Sequence, residues 1–304
     1  MKSIASFILR GPTQAMLVAV ATGVLAMMMP PLSILSGAAV ALTTLRAGMR
    51  SGAVVMLGST AFVAILTWLS LGNALPALMF LAVLWLPLWL LAWVLRETRS
   101  LALTTITAGI LGVVGIIVTY LILGDVTSWW EEVLMTLFEP AMEAGGPLAD
   151  PELVEKVLAD LSEVMTGIAA AGFALNTVMC LYLARGWQAQ LFNPGGFRSE
   201  FYELRFGFKA AVVSLAVIVI SMVPMGGISV VATEIMIVAL GLYVIQGLAM
   251  VHAVVAIRKM HIAWLIGVYM VAFFILPQLM AVIALLGLAD TWVDFRQRAG
   301  ELRT

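Results

Sequence analysis

LMFLAVLWLPLWLLAWVL, residues 78–95, holds 18 consecutive positions without a charged side chain. A helix of that length is about 27 Å long, close to the ~30 Å hydrocarbon core of a bilayer. Lipid offers no partner to backbone N–H and C=O groups, so a spanning segment is a helix or part of a closed barrel. A barrel strand alternates apolar and polar residues. This run is continuously apolar, so it reads as a helix.

Runs of the same kind lie on both sides. We place spans near residues 11–29, 32–45, 51–71, 75–95, 100–123, 164–184, 209–225, 228–257 and 262–289. The fold class this implies is all-α: a polytopic transmembrane helix bundle of about eight or nine segments, forming one integral membrane domain over residues 1–304. Composition agrees. Hydrophobic residues make up 63% of the chain and charged residues 11%, against about 25% charged in soluble domains. The 16 basic and 17 acidic side chains cannot cover a soluble surface of this size. The expected partner is the lipid bilayer. A net charge of −1 gives no basic face for nucleic acid. The single cysteine, Cys180, cannot form an intramolecular disulfide or a cysteine cluster and reads as a small buried residue.

Breaks are legible between the runs. Pro30-Pro31 interrupts helix, because proline lacks an N–H donor and disfavours helix in the residue before it. The segment after it is short and either crosses incompletely or lines a cavity. Gly72-Asn73 and Gly226-Gly227 mark turns. The first apolar stretch, Gly11 to Met29, is longer than a signal-peptide core and reads as a retained first span. With the N-terminus in the cytoplasm, 12 of the 16 basic residues fall on the cytoplasmic side, as the positive-inside rule asks. The run 262–289 contains Pro277 and reads either as one kinked helix or as two half-spans returning the tail, with Arg296, Arg298 and Arg303, to the cytoplasm.

Two loops stand out. Residues 124–163, external in this topology, carry ten acids and one base, Lys156. Their second half, PELVEKVLADLSEV, places Leu153, Val157, Leu161 and Val164 at helical spacing, with Asp150 as N-cap. Trp129 and Trp130 suit the membrane interface. Residues 185–209 form a cytoplasmic loop. Phe197, Phe201, Leu204 and Phe208 recur there at helical spacing, with Arg198, Tyr202 and Arg205 on another face, as in an interfacial helix.

The motifs FNPGGFRSEFYELR (192–205) and GLADTWVDFRQR (287–298), with the order of hydrophobic segments, resemble the YybS-like family of bacterial membrane proteins, a family without assigned function. The resemblance covers nearly the whole chain. That family is in turn similar to the substrate-binding S-components of energy-coupling-factor transporters. The resemblance implies an inner-membrane location, an S-component-like arrangement over the first two thirds, a small-molecule ligand and a membrane partner subunit. The acidic insertion at 124–163 and about three extra segments depart from the S-component pattern. Ala15, Ala19 and Gly23 give the first span a face of small residues, suited to close helix contact with a partner subunit or within the chain.

No Walker A, HExxH or GxSxG sequence is present, so we expect no enzyme, no cofactor and no metal site. His252 and His261 read as interfacial. Glu234 is the most pointed residue. It lies roughly 10 Å into a span at 1.5 Å per residue, where a charged acid costs about 2.5–3.5 kcal/mol. It reads either as a ligand-binding or proton-carrying carboxyl, or as an acid that reaches external water or is simply protonated. Asn176, Gln246 and Gln278 are further candidate ligand contacts, with interhelical hydrogen bonding as the alternative. Asp290, Asp294 and Arg298 are spaced four apart, with Asp294–Arg298 a candidate i,i+4 pair. Together with Arg198 and Arg205 they are the candidates for a partner interface. Two functions remain open: a small-solute binding or transport component, and a non-transporting scaffold or regulator acting through the cytoplasmic loop and tail.

Overall fold

A computed structural model describes residues 2–143 and 151–301. Asp150 and Arg303 lie outside the described residues, which are helical throughout apart from short connections. The chain opens with α1 (Lys2–Ile8) and α2 (Pro12–Ala26). A 3-10 turn at Pro30–Leu32 follows, where the proline pair predicts a break. Next come α3 (Ser33–Ala47) and α4 (Met49–Leu71). Gly72 ends α4 in the left-handed conformation, at φ 67°, which glycine adopts without steric cost.

The opening stretch 78–95 is not one regular helix. α5 (Leu75–Met79) passes through a π-helical segment, Phe80–Trp85, into α6 (Leu86–Thr98). Pro87 supplies no N–H to the preceding turn, and a widened turn accommodates the gap. The wide turn delivers Trp85 to the centre of the bundle, fully enclosed. There its indole N–H donates to Ser36 Oγ at 3.1 Å, and the Ser36 hydroxyl donates to the Ala19 carbonyl at 2.6 Å. Those two bonds tie α2, α3 and the π segment together.

Beyond α6 lie α7 (Leu101–Leu123), α8 (Val126–Glu143), α9 (Pro151–Ser162) and α10 (Met165–Phe192). They are followed by α11 (Gly196–Tyr202), α12 (Gly207–Met222) and α13 (Gly227–Ile257). The chain ends in α14 (Ala263–Phe274), α15 (Leu276–Val293) and α16 (Phe295–Glu301). Among the described residues, five units are long and apolar enough to cross a membrane: α4, α5–α6, α7, α10 and α13. The number rises to seven if two bent pairs, α11 with α12 and α15 with α16, each make one span.

By length and composition the described residues thus give five to seven such units, and the finer count of eight or nine segments is not confirmed. α2 and α3 have 15 residues each and α14 has 12, lengths of about 23 and 18 Å, short of the core thickness. α3 in particular is a wrapped helix. Every residue from Ser36 to Leu45 is buried, under α2, α4, α6 and α10. A helix enclosed on all sides is as apolar as one in lipid, so its composition alone does not separate the two. Its small residues do the packing: a Cβ on Gly37 would run into Leu88 and Cys180.

The run 262–289 divides into α14 and α15 at Ile275, just before Pro277. Gly287 on α15 lies against the backbone of Tyr243 and Gly247 on α13, and Gly247 lies against the Ile283 carbonyl. Two glycines are thus what lets these helices come so close.

Both loops differ from expectation. The acidic segment contains two helices, not one: α8 and α9 pack on each other through Leu134, Val154 and Leu158, with Phe138 and Leu161 alongside. Val157, expected on the apolar face, is exposed, because α8 covers the face carrying Val154 and Leu158. At the other loop, α10 continues to Phe192, so residues 185–192 are helix. α11 does not lie alone at an interface. Phe197 and Phe201 pack edge-on against Tyr182 of α10, and Leu204 is buried. Phe208 sits on the next helix, exposed beside Trp292.

Candidate functional site

The two ends of the bundle differ in charge. Arg96, Arg99, Arg185 and Arg205 lie at the end where α6 and α10 finish and α7 begins; the α8–α9 hairpin lies at the end where α7 finishes. We call these the basic and acidic ends.

Near the acidic end, Glu234 is 1% exposed on α13. It owes that burial to Gly167, the third residue of α10, whose Cα leaves no room for a side chain against the Glu234 backbone. The Tyr120 hydroxyl from α7, the Thr166 hydroxyl and the Gly167 N–H face the Glu234 carboxyl. Thr166 in turn accepts a bond from the Trp130 indole N–H of α8 at 2.8 Å. Glu234 Oε2 has no hydrogen-bond partner among the described residues. A buried acceptor without a donor costs about 1–3 kcal/mol, more where the group is charged.

Thr166 also forms part of the wall of a groove of about 790 Å³ between α5–α6, α7 and α10. Leu86, Leu111, Ile116, Val118 and Phe173 make it apolar, and Trp129 and Trp130 close its acidic end. Gly115 lies on its wall with open space where a side chain would project. Val83 and Phe173 are shared with a second cleft of about 390 Å³, and Asn176 and Ser33 sit on that one. Ser33 Oγ donates to Asn176 Oδ1 at 3.3 Å.

The other two candidate ligand contacts lie elsewhere. Gln246 is fully enclosed and uses both ends of its amide. Its oxygen accepts from the Phe206 N–H at 2.7 Å and its nitrogen donates to the Gly287 carbonyl, so it clasps the start of α12 to α13 and α15. Gln278 is exposed at the start of α15. Glu234, Gln246 and Gln278 therefore do not converge on one cavity.

The partner-interface candidates also separate. Ala15, Ala19 and Gly23 are buried inside the chain: α2 packs on α3 and α4, and Gly23 lies against Ser36 and Trp85. Arg205 pairs with Asp294 and stands 3.7 Å from Asp290 Oδ2, which is itself 3.3 Å from Arg296. Arg296 donates to the carbonyls of Tyr202 and Leu204, both at 2.9 Å. The two distinctive motifs thus meet in one ion-pair network. The expected Asp294–Arg298 pair does not form. Asp294 has left-handed backbone, φ 48°, at the 68° bend between α15 and α16, and although the Arg298 N–H donates to its carbonyl at 3.1 Å, its carboxylate is taken by Arg205 and the Gln297 N–H. Arg298 is exposed, and Arg198 lies over the Tyr202 ring at the surface. His252 stacks among Phe201, Tyr202 and Tyr269 near the basic end.

Residue-by-residue reading missed Tyr120, Thr166 and Arg296. Trp130 carried a signal, as an interfacial tryptophan, but nothing in the sequence tied it to Thr166. No family model, curated protein or solved structure matches this chain.

Proposed function

We propose that this membrane protein is a small-solute binding component whose ligand is an amphiphile: a hydrocarbon part in the apolar groove and a donor-bearing head group at the Thr166–Glu234 corner. The observation that carries this reading is the orphaned Glu234 Oε2 directly behind Thr166, which also walls the groove. An apolar cleft with few polar groups at one end is the usual form of a small-molecule site. The reading is in keeping with the resemblance to S-components. The charge bias further supports an inner-membrane protein with its basic end in the cytoplasm.

The second reading, a non-transporting scaffold or regulator, draws support from one observation: the loop and tail motifs are locked together at the basic end. That network spends the charges of Arg205, Asp290 and Asp294 within the chain, which leaves Arg198 and Arg298 as the exposed contacts for a partner.

Native mass spectrometry of the purified full chain, with lipid extraction, tests the first reading. A small amphiphile should accompany the wild type and be lost from Gly115→Leu, whose Cβ meets nothing within 4 Å on the groove wall. Glu234→Gln should retain the fold and hold the same molecule more weakly. Wild type free of any such molecule, or equal retention by Gly115→Leu, overturns it.

A further inference from the structure

At the basic end, away from the groove, a polar cavity of about 480 Å³ opens between the end of α6, the last third of α10 and α11. Arg96, Arg99, Arg185 and Gln188 line it, with Glu97 and Glu200, over a floor of Leu45 and Leu95. We propose that this cavity binds a phosphate-bearing anion, held by Arg96 and Arg99.

The three arginines are not equivalent. Each guanidinium nitrogen of Arg185 makes one bond: two form a fork with the Glu200 carboxylate, and the third donates to Gln188 Oε1 at 2.6 Å. Arg96 is held in place by one bond, from Nη1 to the Leu45 carbonyl at 2.8 Å, where α3 nears its end. Its Nη2 lies near Gly48 and makes no ion pair among the described residues. Arg99 caps α6 with left-handed backbone and is exposed. Neither Arg96 nor Arg99 has a carboxylate within ion-pair distance among the described residues. Gln188 has given only its oxygen to Arg185, so its amide N–H groups stay available.

The cavity therefore presents two guanidinium groups without counter-ions and one amide donor. Arginine at a helix end is partly explained by the helix dipole, but the dipole does not account for two cations turned into one cavity beside a third. Guanidinium groups match the oxygens of a phosphate in geometry and charge. The wall charges, three arginines against two glutamates, leave a balance of one positive charge for the anion to meet. Two sources share this chemistry: a soluble phosphate compound, and the head group of an anionic lipid at the membrane surface.

Thermal unfolding of the purified full chain in neutral detergent separates them. One arm titrates inorganic pyrophosphate. The other titrates a short-chain phosphatidic acid, with the corresponding phosphatidylcholine as control. We expect saturable stabilisation by one or both anions and none by the control. Half-saturation should weaken about tenfold or more in Arg96→Gln and in Arg99→Asn, as for a lost charge-assisted hydrogen bond. Asparagine tolerates the left-handed backbone at position 99, so that variant stands should Arg96→Gln not fold. Arg50→Gln, an exposed cation outside the cavity wall, should respond as wild type. Response to pyrophosphate alone assigns a soluble ligand, and response to the lipid alone assigns a head group. No stabilisation of the wild type by either, or equal loss in Arg50→Gln, refutes the site.

Discussion

Replacing Asp290 by asparagine should destabilise the chain by about 3 kcal/mol, toward the lower end of the 3–5 kcal/mol expected when a buried ion pair loses one partner. The side chain is completely enclosed, and Arg296 is 8% exposed. Asp290 Oδ2 is 3.3 Å from Arg296 Nη2 and 3.7 Å from Arg205 Nε. At an effective dielectric of about 20, those two contacts amount to gross attractions of about 5 and 4.5 kcal/mol. Desolvation offsets much of that. Asparagine keeps an acceptor for the Phe295 N–H, which Asp290 Oδ1 holds at 3.0 Å, so the variant removes charge with little change of shape. Arg205 retains Asp294, and Arg296 retains two carbonyls, which places the cost at the low end. A loss of about 3 kcal/mol is more than a hundredfold in the unfolding equilibrium. Equilibrium unfolding of the full chain in mixed micelles, followed by tryptophan fluorescence, measures it. The double variant Asp290→Asn/Arg296→Gln should recover at least about 1 kcal/mol relative to the sum of the singles, as contacting residues couple. A single-variant cost below about 0.5 kcal/mol, or strict additivity, would refute the network as a fastening between loop and tail.

Gly287→Ala places a Cβ against the backbone of Tyr243 and Gly247. No rotamer relieves a backbone clash, so α13 and α15 must part, at about 1–3 kcal/mol or more. Gly267→Ala, which meets nothing within 4 Å, should be neutral or slightly stabilising in the same melt. For topology, Glu155→Cys on the exposed face of α9 should react with an impermeant maleimide in intact cells, over a low background from the buried Cys180. Labelling only after lysis would reverse the proposed orientation.

The helical membrane class was legible because long uncharged runs admit few other readings. The number of crossings was not, and α3 shows why. Protein and lipid present equally apolar surroundings, so an enclosed helix and a spanning one share a composition. The density of small residues, Ser36, Gly37, Ala38, Ala39 and Ala41, was the available sign that protein surrounds α3. The tail shows a different limit. Pairing Asp294 with Arg298 presupposes a free carboxylate on Asp294, and nothing local in the sequence announces that Arg205, 89 residues away, takes it. Glu234 was conspicuous as a lone acid in an apolar run. Its neighbours were not, because Tyr120, Thr166 and Trp130 arrive from three other helices, and only folding brings them together.

Where polar groups have spent their bonding capacity separates structural residues from candidate sites. Gln246 uses both amide atoms within the bundle, and Asp290, Arg205 and Arg296 answer one another. Such groups fasten helices, and a ligand could reach them only by displacing a partner already in place. Ser59, Trp187, Tyr243 and Thr291 each keep one buried atom without a hydrogen bond, as do Asp290 Oδ2 and Arg296 Nε; the first four are neutral groups whose cost is about 1–3 kcal/mol apiece, and the last two belong to one ion pair, closed at 3.3 Å. Glu234 is different in kind, since an ionisable carboxyl without a complete set of partners is the more costly group to bury. Arg96 and Arg99 are its counterpart at the opposite end: cations lining a cavity with no carboxylate within ion-pair distance among the described residues, although Glu97 and Glu200 share the wall. A buried acid with one unpartnered oxygen and two arginines without an ion-pair partner among the described residues thus stand at two separate places, each beside a cavity. Those two places are where binding should be sought, and the tests of Gly115→Leu and Arg99→Asn address them independently.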